Sequence, residues 1–323
     1  IVYGEPIPEL NVSYSGLVNG DDAGDLNVEP VASLAAGEGI NAGNYAISLN
    51  VTSSDDYEIT YQPGVFVVEK ATLTVTAHNQ SKVYGEYNPV LTFEYSGFVN
   101  SDNVDELAEQ PTIRTNIDEY SNAGSYLDSI TFSGGMDDNY EFDFVAGDFE
   151  ITKAPLTVIA VNDTIVYGEP IPELNISYSG FENGDDTSNL TTLPTINLDG
   201  DGVNVGEYDI LVAGAQADNY SVNYHNGKLN VEKAVLTVRA DNKSINFNQP
   251  IPELTFTYSG FVSGEDVTNL TAVPTASTAA VQGSPEGDYD IEVSGGVADN
   301  YSFNYVKGVL TISPKQVPVL SWS

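Results

Sequence analysis

The sequence predicts an all-β chain of tandem small β-sandwiches, Ig-like in plan, and three observations carry that prediction. Tyr-Ser-Gly returns at Tyr14, Tyr95, Tyr178 and Tyr258, at intervals of 81, 83 and 80 residues, so the chain is four copies of one unit. Within each unit apolar residues recur at every second position in short runs, the period of half-buried strands. About six such runs per unit, with turn signals roughly every ten residues, fit a sandwich. A β-grasp, in which one short helix crosses a small mixed sheet, reads similarly and stands as the alternative.

Lys-Ala closes the units at Lys70, Lys153 and Lys233, which sets repeats at 1–71, 72–154, 155–234 and 235–315, with 316–323 opening a further one. The first element of repeat three is "PLTVIA", in which Leu156, Val158 and Ala160 fall at every second position. Leu174, Ile176 and Tyr178 follow, then Tyr220, Val222 and Tyr224, then Leu229 and Val231, so that one branched or aromatic face turns inward on each strand. "FVAGDF" and "YHNGKL" supply a glycine between the last two strands, which therefore read as an antiparallel hairpin. Repeat one lacks the "LTV" strand that opens the others, and "QVPVLSWS" starts an element without completing it, so the chain reads as a window onto a longer array.

The stretches "GDDAGDL", "SDNVDEL", "GDDTSNL" and "GEDVTNL" are the helical candidates, each long enough for one capped turn whose Leu folds back on the core. They also gather the acids: Asp21, Asp22 and Asp25; Asp102, Asp105 and Glu106; Asp185 and Asp186; Glu265 and Asp266. Acids there cap the turn and suit its dipole. Calcium, which takes six to eight oxygens, is the one cofactor they offer, with Asp21, Asp22, Asp25, Asp185 and Asp186 as candidate ligands. Between units there is almost no linker: "FEITKAPLTVIA" passes from one strand to the next through Lys153, Ala154 and Pro155. That predicts a stiff, extended rod, on the order of 130 Å for four units at roughly 3.3 Å per extended residue.

Composition narrows function. Ten Lys and Arg stand against 47 Asp and Glu, a formal charge of -37, which makes nucleic acid and anionic membrane poor partners. With 41% hydrophobic residues, 20 Tyr and 12 Phe, the chain folds rather than acting as an acidic tail. Cysteine is absent, removing disulfides, thiolate metal sites and cysteine nucleophiles together. No apolar run reaches the roughly 20 residues of a membrane span, so no membrane insertion is expected in this segment.

Catalysis is not expected either. His78 and His225 occupy different positions in their units and lack the partners a triad requires. "GEGINAG" from Gly37 and "GDGVNVG" from Gly200 imitate a dinucleotide loop, but no long helix follows. "DGDG" from Asp199 begins like an EF-hand loop without its later Gly and Glu. The tyrosines could stack on sugars, yet their period-two placement reads as core.

"LTVTAHNQSKVYGEYNPVLTFEYSGF", closed by "GDFEITKA", resembles the MBG repeats of YGX type. Val-Tyr-Gly at Tyr3, Tyr84 and Tyr167 carries the likeness; repeat four departs from it with "INFNQP" and repeat one with "YSGL". The resemblance implies arrays in very large cell-surface adhesins of Bacteroidota, exported by the type IX system and serving adhesion and gliding motility. The expected partners are neighbouring repeats and, through other regions, an extracellular substratum; a multivalent carbohydrate or surface binder is the runner-up. The tail "VPVLSWS" resembles the opening strand of another repeat type. In such bacteria O-glycans join Asp-Ser/Thr followed by an aliphatic residue, which implies Ser129 and Thr164 as glycosylation sites.

Overall fold

The computed structural model describes residues 1–323 except 38, 51, 52, 316, 317 and 319–323. The further element expected at 316–323 therefore lies, Pro318 aside, outside the described residues. Two compact units divide the chain, Ile1–Ala154 and Pro155–Ser323; the first contains repeats one and two, the second repeats three and four.

Each complete repeat is two small sheets. In repeat three the opening strand, Ala154–Ala160, lies in the middle of a three-stranded sheet between Ile176–Ser179 and Tyr220–His225. The other sheet runs Asp163–Val166, Gly227–Glu232, Gly206–Ala213, Thr195–Leu198. Val158 and Ala160 of the first sheet meet Ile210, Val212, Leu229 and Val231 of the second in one apolar cluster. Repeats two and four have the same strand orders. The opening strands follow their sequence pattern: Leu73, Val75, Leu156, Val158, Leu236 and Val238 have no solvent exposure, while the residues between them are half-buried or exposed.

The helical candidates are three-residue 3-10 turns at Ala23–Asp25, Val104–Glu106, Thr187–Asn189 and Val267–Asn269, and Leu107 and Leu190 behind two of them are buried. One such turn cannot cross a sheet, and the sandwich stands over the β-grasp.

The expected hairpin of the last two strands is not formed. In repeat two Tyr140–Val145 pairs in parallel with Ala71–Ala77, whereas Gly147–Thr152 lies in the other sheet, antiparallel to Gly124–Met136 and parallel to Gln80–Val83. The chain crosses between sheets at Ala146, and the glycine serves that crossing. A Cβ on Gly147, Gly227 or Gly308 would fall 3.1, 2.5 or 2.7 Å from the carbonyl oxygen of Ala77, Ala160 or Ala240, the last residue of the opening strand.

Repeat one shows what that strand contributes. Its described strands are Ala32–Ser33, Gly43–Leu49 and Gly64–Val68, all of one sheet. Residues 11–15 and 57–61, which match the two flanking strands elsewhere, form no strand. Ile47 is only half-buried, where its counterparts Ile130, Ile210 and Ile291 are fully buried. Without the central strand both neighbours lose their only ladder in that sheet.

Repeat two carries a two-residue insertion. Tyr126 pairs with Phe149 and Ile130 with Gly147, whereas Tyr208 and Ile210 pair with Leu229 and Gly227 without a shift. The extra residues bulge the strand, with Asp128 at φ 50° and its N–H donating to Asp148 Oδ1 at 2.9 Å.

Leu236→Ala should cost about 2–5 kcal/mol of stability in urea titrations, while Val235→Ala, at a position 59% exposed, should stay within about 0.5 kcal/mol.

Candidate functional site: the joints between repeats

The side chains that recur with a common geometry gather where one repeat meets the next within each unit. In the joint of repeats one and two, the turn at Val2–Glu5 is closed by Glu5 N–H donating to Val2 O at 3.0 Å. Tyr3 Oη then donates to Asp102 Oδ2 at 3.0 Å, and Tyr140 Oη donates to the same oxygen at 2.7 Å. The two rings meet edge to face, 5.5 Å between centroids. Gly4, at φ 91°, lies flat on Val99; a Cβ there would fall 2.6 Å from Val99 Cγ2.

The joint of repeats three and four repeats this plan. Tyr167 Oη donates to Glu265 Oε1 at 2.6 Å, and Tyr301 Oη donates to Glu265 Oε2. The ring centroids are 5.6 Å apart. Gly168, at φ 89°, packs against Val262, and a Cβ would fall 2.5 Å from its Cγ2.

Two further contacts flank each clasp. Lys70 Nζ donates to Asp137 O at 2.5 Å and Lys233 Nζ to Ala298 O at 2.9 Å. Ala42 N–H donates to Asn139 Oδ1 at 2.9 Å and Val205 N–H to Asn300 Oδ1 at 3.0 Å. Asn300 Nδ2 also reaches Asn204 Oδ1 at 3.0 Å. Apolar packing is continuous through both joints: Tyr3, Phe66 and Val68 cluster with Leu107 and Tyr140, and Tyr167 packs on the core of repeat four.

Each of the five candidate calcium ligands has a hydrogen-bonding role in its own repeat. The first acid of each cluster accepts the tyrosine of its own repeat: Asp21 from Tyr57 at 2.6 Å, Asp102 from Tyr140, Asp185 from Tyr220 at 2.6 Å, Glu265 from Tyr301. The next residue caps the turn, Asp22 accepting from Gly24 N–H at 2.8 Å and Asp186 from Ser188 N–H at 2.7 Å. Asp25 closes the capping box by accepting Asp22 N–H at 2.8 Å. The Asp186 and Asp266 carboxyls are held below the usual range by bonds from Ser188 and Thr268 respectively. Among the described residues no group of three or more His, Asp or Glu is placed to hold a metal ion.

The remaining candidates are scattered. His78 bonds Thr92 Oγ1 through Nδ1 at 3.0 Å and is exposed; His225 ends a strand, also exposed. Thr164 is exposed on the edge strand Asp163–Val166, and half-buried Ser129 donates to Tyr126 O at 2.8 Å inside the bulge. The shared clasp was missed by sequence reading, although its signal was present: Tyr-Gly, the first acid and Asn-Tyr recur in fixed order.

Burial, together with the bond to Asp102, pushes the Tyr140 hydroxyl up to about 12, and burial with the bond to Glu265 does the same for Tyr301. The hydroxyl of Tyr167 is also raised, first by its bond to Glu265.

A family model for the MBG domain (YGX type) matches residues 1–67, 73–150, 156–230 and 236–311. The chain belongs to this family. These MBG repeats match no curated protein. Among solved structures, the chain is similar to the I9–I11 tandem of titin (9% identity, TM-score 0.22, covering 75% of this chain and 100% of that one). It is also similar to the immunoglobulin domains 1–4 of Sidekick-1 (10%, TM-score 0.23, 85% and 83%) and to the human Desmocollin-1 ectodomain (8%, TM-score 0.20, 84% and 68%). Likeness at this level carries no functional argument. Among the described residues of the MBG chain no helix is long and apolar enough to cross a membrane.

Ultraviolet titration of tyrosinate should separate these groups. A tyrosine in an unfolded chain ionises near 10, so the clasp's contribution is whole below about pH 10 and is lost as pH rises toward about 12. Tyr301→Phe, which strips a charge-accepting bond, should cost about 1.5–3 kcal/mol in thermal or urea unfolding and remove one late-titrating hydroxyl.

Proposed function

We propose that this chain is a non-catalytic, force-bearing stalk segment of a large cell-surface adhesin, extending a binding tip and transmitting load in adhesion and gliding motility. The observation that supports it is the joint. A repeat ends in a strand, as few as one residue follows, and the next repeat's central strand begins, while the clasp ties the turn of one to the loop of the other. Load entering a repeat then passes through backbone ladders and a desolvated side-chain contact rather than a slack tether. The strong negative charge of the chain opposes clumping.

Multivalent carbohydrate binding would call for an exposed aromatic in every copy. The most exposed, Tyr87 and Tyr120 of repeat two, do not recur: proline stands at the Tyr87 position in the other three, as Pro6, Pro170 and Pro250, and the aromatic position that does recur, Tyr61, Phe144, Tyr224 and Tyr305, is 49, 40 and 36% exposed in the first three repeats and half-buried in repeat four. The acidic loops act as caps and clasp acceptors, with calcium as their rival occupant. Ser129 and Thr164 are proposed as glycan acceptors, Thr164 being the more accessible.

Single-molecule pulling should give three comparable steps from repeats two to four, each on the order of 25 nm for about 80 residues, and a glycan array should show no binding. One merged unfolding event, or glycan binding, would overturn the stalk. Chelator should leave the melting temperature unchanged; a fall would reinstate calcium.

A further inference from the structure

The clasp has two faces. The entry face of repeats two and four holds the valine, the acid, the Asn-Tyr pair and the carbonyl that accepts lysine. The exit face holds Tyr-Gly, Asn on the neighbouring loop, and Lys-Ala. Repeat three presents Tyr167, Gly168, Asn204, Lys233 and Ala234; repeat one presents Tyr3, Gly4, Asn41, Lys70 and Ala71. Repeat two has the same residue types at the same positions.

Repeat four keeps its entry face, with Val262, Glu265, Asn300 and Tyr301 all engaged. All five exit-face positions have changed: Phe247 for Tyr, Asn248 for Gly, Pro285 for Asn, Pro314 for Lys and Lys315 for Ala. Each change opposes docking by a different mechanism. Phe247 has no hydroxyl, so a partner's buried carboxylate would lose a donor. Asn248, at φ 65°, has the Cβ that Gly4 and Gly168 lack, at the point where it would sit about 2.5 Å from the next valine. Pro285 removes the amide that meets Asn300 in the preceding joint. Pro314 has no amine for the carbonyl. Lys315 would bring an ammonium to a position where Ala71 and Ala234 are 4% and 7% exposed.

We propose that the exit face of repeat four is a stop face: it refuses another repeat of this kind and ends the clasped run. This rests on the clasp geometry and not on the stalk reading; a pulling result that overturned the stalk would leave it standing.

The test is amide hydrogen exchange on the full chain extended after Lys315 by a second copy of residues 72–154. Val205 N–H, bonded across the joint of repeats three and four, reports a docked joint; Glu286 holds the matching position in repeat four. Glu286 should exchange at the same rate with and without the added copy. Restoring the five residues (F247Y, N248G, P285N, P314K, K315A) should slow it about tenfold, the factor expected of one net hydrogen bond. Conversely, Tyr167→Phe with Gly168→Asn in the unextended chain should speed Val205 about tenfold while core amides of repeats three and four stay protected. Slowing of Glu286 by the unrestored fusion, or an unmoved Val205 in the converse variant, would overturn the proposal.

Discussion

The structure depends most on where the opening strand of each repeat sits. It is the middle member of a three-stranded sheet, ladder-bonded on both edges, and its alternating Leu, Val and Ala form one wall of the core. Within the second unit it is also chained to the previous repeat by the shortest of connections: Lys233 alone separates Glu232 from Ala234. A strand so placed cannot shift without breaking two ladders, and the end of one repeat cannot turn without moving that strand. Joint stiffness is thereby inherited from sheet pairing, and the side-chain clasp adds orientation to a connection already short of freedom. The described strands of repeat one belong to one sheet.

The joint also answers a problem set by composition. With 10 basic side chains against 47 acids, buried or half-buried carboxylates cannot generally be matched by cations. Tyrosine hydroxyls and backbone amides take over. Asp102 and Glu265 each receive two phenols, and Asp22, Asp186 and Asp266 receive the amides of a 3-10 turn. These donors satisfy a carboxylate without desolvating a second charge, which is the costly part of a buried ion pair. The acidic loop therefore serves both as the cap of its own turn and as the receiving half of the joint.

Much of this was legible. Period-two patterning located four of the seven strands of each complete repeat, missing Asp163–Val166, Thr195–Leu198 and Gly206–Ala213 in repeat three, and the repeat marks placed the capped turns, because both depend on local chemistry that each residue carries with it. Sheet membership was not legible. "YHNGKL" has the glycine of a hairpin, and nothing local reveals that Gly227 is small for the sake of the Ala160 carbonyl rather than for a turn; that contact is set by a strand more than 60 residues away. The clasp was hidden for a similar reason. Tyr167 follows a strand in a turn and Tyr301 begins one, each reading as part of its own repeat, and only the stacking of two repeats brings them to one carboxylate. Lys82 was missed as well: it lies buried where repeats three and four have Ile165 and Ile245, its Nζ satisfied by the carbonyls of Glu86 and Asp118.

The parallel ladder from Ala71 to Tyr140 joins the two extremes of a repeat, and this bears on how the chain reaches its native state. Contacts so remote along the backbone form late, and until they form, the corresponding edge of an adjacent near-copy offers almost the same bonds. Swapped assemblies are the characteristic hazard of such chains. The two-residue insertion after Tyr126 and the lysine at position 82 make the four-stranded sheet of repeat two unlike those of its neighbours, so a foreign strand would find its alignment wrong there. Idiosyncrasy inside an otherwise uniform series thus works as an address label, sorting each segment to its own sheet during assembly.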